Sequence, residues 1–325
     1  MHAGFSANCP RVAATIPAIE TRALAKTYAG GTRALAGIDL AVGQGSIFGL
    51  LGENGAGKTT LIRILLDMIR PTEGSACLMG FDTQRQAVAA RRHVGYLPSS
   101  PRFYPRMTAE QAFRLAAELR DVPEDPAFVG SLVERLDLDP RRVIQTLSRG
   151  NQQKVGLILA LAARPDVVIL DEPTSGLDPL VQEAVLGIVR EVAADGRTVF
   201  FSSHILHEVE ELCDRAAVLR AGELVGVYDL AAERRLAARQ LTAVFEQEPS
   251  PDAFVSLPAG IRVLSRDGRR VTFAFAGDVD PLLKALARHH VTEIEAHAPT
   301  LEDFFFALYR ESESPAASQE VQVGV

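Results

Sequence analysis

The chain has 325 residues, of which 47% are hydrophobic and 23% are charged, a composition typical of a globular protein with a sizeable core. Its formal net charge of −7 provides no basic surface for nucleic acid, so a nucleic-acid partner is excluded and any anionic ligand must be held by local groups. No stretch approaches the roughly 18 consecutive apolar residues that a membrane-spanning helix needs.

The first part of the chain alternates between strand and helix patterns. Residues 1–16 are expected to form a disordered extension. Beyond them, apolar runs such as Ile47–Leu51 and Val167–Leu170 end in glycine or acidic residues, as buried parallel strands do. Longer helical patterns lie between such runs, at Thr60–Ile69, Thr108–Arg120, Gln152–Ala163, Pro179–Ala194 and Ile205–Cys213. The alternation predicts an α/β core with a mostly parallel sheet, and Thr108 with Gln111 forms a capping-box pair at one helix start.

The pattern changes after about Val227. Strands are predicted at 240–247, Ile261–Arg266, Arg270–Ala276 and Val291–His297, with helices at 251–257 and Pro281–His289. This order predicts a small α+β domain of the ferredoxin-like kind over residues 228–310. A last helix is capped by Thr300 and Asp303, and its apolar residues Leu301, Phe304, Phe305 and Leu308 form either a packed core face or a partner-binding face. Residues 311–325 are expected to be a disordered tail.

The most specific motif is GENGAGKT, Gly52–Thr59, which fits the phosphate-loop pattern G-x-x-x-x-G-K-[ST] between a predicted strand and a predicted helix. Its glycines let successive backbone N–H groups point at one phosphate group. Lys58 is predicted to reach the β- and γ-phosphates and Thr59 to ligate Mg²⁺. The predicted nucleotide-binding residues of this segment are Gly52, Glu53, Asn54, Gly55, Ala56, Gly57, Lys58, Thr59 and Thr60. The alternative is a glycine-rich turn with a surface lysine, which the flanking strand and helix disfavour.

An acidic pair, Asp171-Glu172, follows the apolar run Val167–Leu170. Because ligands bind at the carboxyl ends of strands in open α/β sheets, Asp171 is predicted to hold Mg²⁺ through water. Glu172 is predicted to polarise the attacking water as a general base. A helix-capping role for Glu172 is disfavoured because Pro173 follows at once and no helix pattern starts there.

These motifs, in this order, resemble the ATP-binding-cassette (ABC) ATPases, the nucleotide-binding subunits of ABC transporters. The resemblance implies an ABC ATPase domain over residues 17–227, with a helical subdomain at about 100–165. It also implies that Tyr28 stacks on adenine, although the residue alone would more often be a half-buried strand tyrosine. Asp178 would belong to a loop that crosses a dimer interface, and His204 would be the switch histidine that contacts the γ-phosphate.

The stretch LSRGN, Leu147–Asn151, resembles the family signature Leu-Ser-Gly-Gly-Gln. The resemblance implies a homodimer of head-to-tail cassettes, in which Ser148 and Gly150 of one subunit bind the γ-phosphate held by the other. Arg149 replaces a glycine, and its charge either acts on the phosphate or lies in solvent. Ser99 stands where the family places a glutamine that ligates Mg²⁺ and senses the membrane partner, and a serine reaches less far.

The details are similar to the drug- and antibiotic-export branch of the family. That resemblance implies an ATP-hydrolysing subunit, dependent on ATP and Mg²⁺, that powers a separate membrane permease from the cytoplasmic face of the membrane. A non-transport ABC ATPase in DNA repair or on ribosomes is the alternative, disfavoured by the short interval between Thr59 and Leu147 and by the single cassette. A regulatory ATP sensor without turnover is disfavoured by Glu172 and His204.

Overall fold

The computed structural model describes residues 16–120, 125–230, 239–250, 253–254, 257–258, 260–275 and 277–297. The chain divides between Leu230 and Ala231 into two compact units. The predicted extension, apart from Ile16, and the predicted tail lie outside the described residues.

The first unit contains ten strands and seven α-helices within its described residues. Its strands are β1 (Ile19–Thr27), β2 (Arg33–Val42), β3 (Ile47–Leu51), β4 (Glu73–Leu78), β5 (Phe81–Asp82), β6 (Val94–Leu97), β7 (Val167–Asp171), β8 (Thr198–Ser203), β9 (Arg215–Arg220) and β10 (Glu223–Asp229). Its helices are α1 (Lys58–Leu65), α2 (Ala87–Arg92), α3 (Ala109–Arg120), α4 (Pro126–Arg135), α5 (Arg149–Leu161), α6 (Pro179–Ala194) and α7 (Leu206–Leu212), with a 3₁₀ turn at Ile144–Thr146.

The predicted parallel sheet is present and has six strands in the order β10-β9-β3-β8-β7-β6. Every neighbouring pair is parallel except β10 with β9, which is antiparallel. All residues of β3, β7 and β8 are buried, as expected of central strands covered on both faces. The strand Ile47–Leu51 has the predicted bounds, so these apolar runs are interpreted correctly as buried strands.

A second sheet of four antiparallel strands, in the order β2-β1-β4-β5, was not predicted. Helix α1 shares one hydrophobic core with both sheets, where Leu61 of α1 packs with Leu24 and Ile38 of the antiparallel sheet and with Phe200 of the parallel sheet. Helix α1 is therefore anchored in a core that both sheets share.

The five predicted helices of the first unit begin within three residues of their predicted positions, whereas α2 and α4 were not predicted. Thr108 and Gln111 form the predicted capping box before α3: the Thr108 backbone N–H donates to Gln111 Oε1 at 3.0 Å, and the Gln111 N–H donates to Thr108 Oγ1 at 3.2 Å. Helix α1 starts at Lys58 and ends at Leu65, so it begins earlier and is shorter than the predicted Thr60–Ile69. Helix α5 begins at Arg149, which brings the whole signature to the helix start.

The second unit contains β11 (Arg239–Phe245), β12 (Ile261–Asp267), β13 (Arg270–Phe275), α8 (Asp280–Leu286) and β14 (Val291–His297). The strands pair in the antiparallel order β12-β13-β11-β14, around a core that includes Phe245, Phe254, Phe273 and Leu282. Each strand begins within one residue and ends within two residues of its predicted bounds. The predicted helix at 251–257 is only partly within the described residues and the one after Thr300 is outside them, so the ferredoxin-like domain stays a prediction.

None of the helices within the described ranges is both long enough and apolar enough to cross a lipid bilayer.

Candidate nucleotide-binding and catalytic site

The carboxyl ends of three neighbouring strands carry the predicted site. The register of β3 and β8 places Leu51 opposite Ser203, and the register of β7 and β8 places Asp171 opposite Ser202. The phosphate loop, the acidic pair and His204 therefore leave the same edge of the sheet side by side, where open α/β sheets bind ligands.

The phosphate loop is fixed at its first and last glycines. A side chain at Gly52 would place its Cβ 2.4 Å from the Leu219 carbonyl oxygen, and one at Gly57 would place it 2.6 Å from the Ala34 carbonyl oxygen. Gly57 also has a φ of +111°, in the region that favours glycine, and directly precedes α1. The backbone between these glycines is therefore a preformed cradle, in which Glu53, Asn54 and Gly55 are exposed.

Lys58 is held at the centre of this cradle and is only 5% exposed. Its Nζ donates to the carbonyl oxygens of Gly52 at 2.5 Å and Glu53 at 3.1 Å, and lies 3.6 Å from Glu172 Oε1. The ammonium group therefore lies near three oxygen atoms, whose contacts it can exchange for contacts with phosphate oxygens. Because Lys58 is buried, the alternative of a surface lysine is wrong.

Asp171 is buried and both of its carboxylate oxygens accept a hydrogen bond. Thr59 Oγ1 donates to Oδ2 at 3.0 Å, and Ser202 Oγ donates to Oδ1 at 2.6 Å. A hydroxyl and a carboxylate are hard oxygen ligands that fit Mg²⁺, which is usually held by one or two carboxylates together with substrate phosphates. The described residues contain no group of three or more His, Cys, Asp or Glu that could hold a metal ion, so phosphate oxygens would have to complete the ligand set.

Glu172 lies in a strained backbone conformation, with a φ of +51°. Such a conformation costs on the order of 1–3 kcal/mol and persists where the surroundings fix it. Here the Glu172 N–H donates to the Ser202 carbonyl oxygen at 3.1 Å and to Ser202 Oγ at 3.2 Å, and Gln153 Nε2 donates to the Glu172 carbonyl oxygen at 3.4 Å. No helix starts at Glu172, so the capping alternative is wrong.

The Glu172 carboxylate connects two other predicted site residues. Its Oε1 lies 3.3 Å from His204 Nδ1 and 3.6 Å from Lys58 Nζ, and the His204 side chain is 42% exposed. The structure thus brings the predicted base, the predicted phosphate ligand and the predicted switch histidine together around one oxygen atom.

Tyr28 follows the end of β1 and is 39% exposed, so it is not a half-buried strand residue. Its hydroxyl lies 3.3 Å from Thr60 Oγ1, directly after the phosphate loop, and the Lys26 Nζ lies 5.4 Å from the centre of its ring. An exposed ring next to the loop is available for stacking on a base.

Ser148 of the signature and Asp178 have local structural roles. Ser148 is the N-cap of α5 and its Oγ accepts a hydrogen bond from the Asn151 N–H at 3.3 Å, while Asp178 caps α6 by accepting from the Val181 N–H at 3.1 Å. Within the described part of the chain, neither Ser148 nor Asp178 makes a hydrogen bond or ion pair with the Lys58 cluster. A Cβ on Gly150 would lie 3.3 Å from Leu177 Cδ2, so the signature lies against the loop that precedes α6.

Ser99 and Arg149 are the two residues that depart from the family pattern, and the structure shows where each of them lies. Ser99 is partly exposed and follows β6, which pairs with β7 and so ends at the same sheet edge as Asp171. Arg149 is exposed and has no ion pair with a described residue, which is compatible with either a phosphate contact or solvation.

Sequence reasoning missed three residues of this site. Ser202 contacts both members of the acidic pair, Gln153 contacts the Glu172 backbone, and Tyr96 lies on the neighbouring strand β6. Burial and the negative charge of Asp171 raise the pKa of Tyr96 to about 12, with Arg63 opposing the shift, so the phenol stays protonated at neutral pH. The available signal was the polar pair Ser202-Ser203 at the end of a strand whose middle residues, Val199–Phe201, are apolar.

A phosphate loop beside an acidic pair and a histidine, with a capped helix that starts in the signature, defines a P-loop nucleotide hydrolase. The family model described as ABC transporter matches residues 35–175. An uncharacterised ABC transporter ATP-binding protein of Synechocystis is 33% identical over 314 residues, covering 90% of this chain and 85% of the relative. The chain therefore belongs to the ABC transporter ATP-binding proteins, and it is an ATPase.

Further comparisons agree with this family. The bacitracin transport ATP-binding protein BcrA of Enterococcus faecalis is 31% identical over 297 residues, covering 89% of this chain and 96% of BcrA. An uncharacterised ABC transporter ATP-binding protein of Nostoc is 42% identical, but the match covers 59% of this chain and 58% of the relative. A solved ATP-binding subunit of an ABC transporter superposes with a TM-score of 0.62 at 30% identity, covering 67% of this chain and 92% of that one. The BcrA relative agrees with the resemblance to the antibiotic-export branch.

Proposed function

We propose that this protein hydrolyses ATP to power a separate membrane permease from the cytoplasmic face of the membrane, in the direction of export. The observation that carries the hydrolytic part is the position of Glu172 Oε1, 3.6 Å from Lys58 Nζ and 3.3 Å from His204 Nδ1. The transport part is supported by relatives named as transporter ATP-binding proteins, among them BcrA of Enterococcus faecalis and of Bacillus licheniformis. Those names also disfavour a repair or ribosomal role.

When ATP binds, its phosphate oxygens replace backbone carbonyl oxygens as the partners of Lys58. Lys58 Nζ leaves the carbonyl oxygens of Gly52 and Glu53 and binds the β- and γ-phosphates, where its charge is most useful. The exposed ring of Tyr28 stacks on adenine. Thr59 and Asp171 would hold Mg²⁺, which would supply positive charge against the phosphate oxygens. Ser99, at the same edge, is the third proposed ligand.

The hydrolytic step depends on Glu172 and His204. Glu172 accepts a proton from the water whose oxygen attacks the γ-phosphorus, while the bond between that phosphorus and the ADP oxygen breaks. His204 contacts the γ-phosphate from the end of β8 and, through its 3.3 Å contact, holds the Glu172 carboxylate in place. The left-handed backbone of Glu172 aims this carboxylate into the cradle.

The complete site requires a second copy of the chain. Ser148 and Gly150 lie at the start of α5, where the exposed N–H groups and the helix dipole favour an anion. Because Ser148 makes no hydrogen bond or ion pair with the described residues of its own Lys58 cluster, we assign it and Gly150 to the nucleotide of the opposite subunit, with Asp178 at the interface. A cassette of this fold, MJ0796, is dimeric in two of its structures.

We expect a tagged wild-type chain to copurify from detergent-solubilised membranes of its own host with a polypeptide that has several membrane-spanning segments. Labelled bacitracin is the probe, because the relative BcrA is named for bacitracin transport. Inverted membrane vesicles should accumulate it when ATP is added, because export from the cell becomes uptake into such vesicles. Vesicles that carry Glu172→Gln are the control, since the partner is present and only turnover is lost. Recovery of the active chain from the membrane-free fraction alone would contradict the proposal, and equal accumulation by both kinds of vesicle would contradict export of this class of substrate.

A further inference from the structure

Ser202, near the carboxyl end of strand β8, forms hydrogen bonds with both members of the acidic pair. It is fully buried on β8 and lies opposite Asp171 in the register with β7. Its Oγ lies 2.6 Å from Asp171 Oδ1 and 3.2 Å from the Glu172 backbone nitrogen. Among the side chains within the described ranges, no other one forms hydrogen bonds with both residues.

The chemistry of the groups fixes the direction of both hydrogen bonds. A hydroxyl has one proton, and an ionised carboxylate can only accept. Ser202 therefore donates its proton to Asp171, and its lone pair accepts the N–H of Glu172. A single side chain thus links the carboxylate proposed to hold Mg²⁺ to the backbone of the proposed general base.

We propose that Ser202 is a positioning residue for ATP hydrolysis, which fixes the orientation of Asp171 and the strained backbone of Glu172 relative to each other. This inference rests on the proposed roles of Asp171 and Glu172 and does not depend on the membrane partner. If Mg²⁺ took the Thr59 hydroxyl as a ligand, the hydrogen bond from Ser202 would be the one left to orient the Asp171 carboxylate. Groups that orient a metal ligand in this way typically change metal affinity or activity about 10–100-fold when they are removed.

The neighbouring residue Ser203 provides a matched control. It is also buried, its Oγ donates to Glu208 Oε2 at the same 2.6 Å, and it accepts the Ile205 N–H at 2.9 Å. Its side chain has no hydrogen bond with Asp171 or Glu172. Removal of either hydroxyl leaves a buried carboxylate short of one donor, so the loss of stability is comparable, whereas only Ser202 acts on the site.

The experiment compares Ser202→Ala with Ser203→Ala in the full chain. Steady-state hydrolysis gives kcat and the Mg²⁺ concentration for half-maximal rate, and a fluorescent non-hydrolysable ATP analogue gives nucleotide affinity with and without Mg²⁺. For Ser202→Ala we expect kcat to fall about 10–100-fold and the Mg²⁺ requirement to rise, with little change in affinity when Mg²⁺ is absent. For Ser203→Ala we expect near wild-type values of all these quantities, although its melting temperature falls by a similar amount.

Equal values of kcat and of Mg²⁺ dependence for the two variants would overturn the inference, because the effect would then be one of stability alone. Ser202→Cys, which keeps the size of the side chain but donates weakly, replaces Ser202→Ala if the latter fails to fold, and it should show the same Mg²⁺ shift. Asp171→Asn and Glu172→Gln are measured alongside. Near wild-type turnover in either of these would refute the proposed roles themselves, whereas their loss together with unaffected Ser202 variants would refute the role of Ser202 alone.

Discussion

Glu172→Gln is expected to lower the rate of ATP hydrolysis by about 10²–10⁴-fold, the usual effect of losing a general base. The amide keeps the shape of the side chain but has no pair of electrons basic enough to take the proton of the attacking water. Binding should survive, because the cradle and Lys58 are unchanged. The variant should therefore retain ATP and accumulate as a closed dimer in the presence of MgATP, detectable by size-exclusion chromatography.

The control for this prediction is Glu183→Gln. Glu183 is an exposed carboxylate on α6 that lies 3.6 Å from Arg190, so this variant makes the same change of charge away from the site. It should hydrolyse ATP at the wild-type rate and form no stable closed dimer. Turnover by Glu172→Gln at a near wild-type rate would remove Glu172 from the mechanism.

Lys58→Ala is expected to lose affinity for the nucleotide itself. Lys58 neutralises charge on the β- and γ-phosphates in the ground state as well as in the transition state, so its loss weakens binding and not only the chemical step. Equilibrium binding of a fluorescent ATP analogue measures the effect directly.

Lys284→Ala is the matched control for Lys58→Ala. Lys284 is an exposed lysine of α8 whose Nζ lies 2.7 Å from Asp280 Oδ2, outside the ATPase unit. Its removal should leave nucleotide affinity unchanged. If Lys58→Ala also bound the analogue as tightly as the wild type, the assignment of Gly52–Thr59 as a phosphate loop would be contradicted.

The residues of the site that could be predicted from sequence lie in short stretches. Each such stretch shows both the type of residue and where it stands relative to a neighbouring strand or helix. The GENGAGKT loop includes its own glycines and lysine between a buried strand and a helix. Asp171 and Glu172 likewise follow directly from an apolar run. In each case the strand fixes where the residue emerges, because parallel strands of one sheet end at the same edge.

The parts that could not be predicted depend on which strands are neighbours. Ser202 faces Asp171 only because β8 pairs with β7 in one particular register, and nothing in the stretch Thr198–Ser203 states that register. The antiparallel sheet that covers α1 was missed for the same reason. The left-handed backbone of Glu172 was also unpredictable, since it is held by contacts from Ser202 and Gln153 on other elements.

The capping residues show a different limit of sequence reasoning. The capping box of Thr108 and Gln111 was predicted because its partners are three residues apart and the pattern is local. Ser148 and Asp178 prove to be helix caps as well, which explains their residue types without any ligand. Their proposed second role is to bind the nucleotide of another subunit. A test of this role must therefore give a result that the loss of a helix cap alone could not produce.

The most direct test of this account compares two genetically linked dimers that contain the same substitutions in different arrangements. In the first dimer, one copy has Ser148→Arg and the other has Lys58→Ala. In the second dimer, one copy has both substitutions and the other is wild type. Single-turnover hydrolysis is measured, since it requires only one working site.

If Ser148 acts on the opposite subunit, the first dimer has one site made of an intact loop and an intact signature, and it should hydrolyse ATP. Each site of the second dimer then contains one damaged part, so the second dimer should be inactive. The reverse result, an inactive first dimer and an active second dimer, would show that the signature acts within its own chain and would contradict the account.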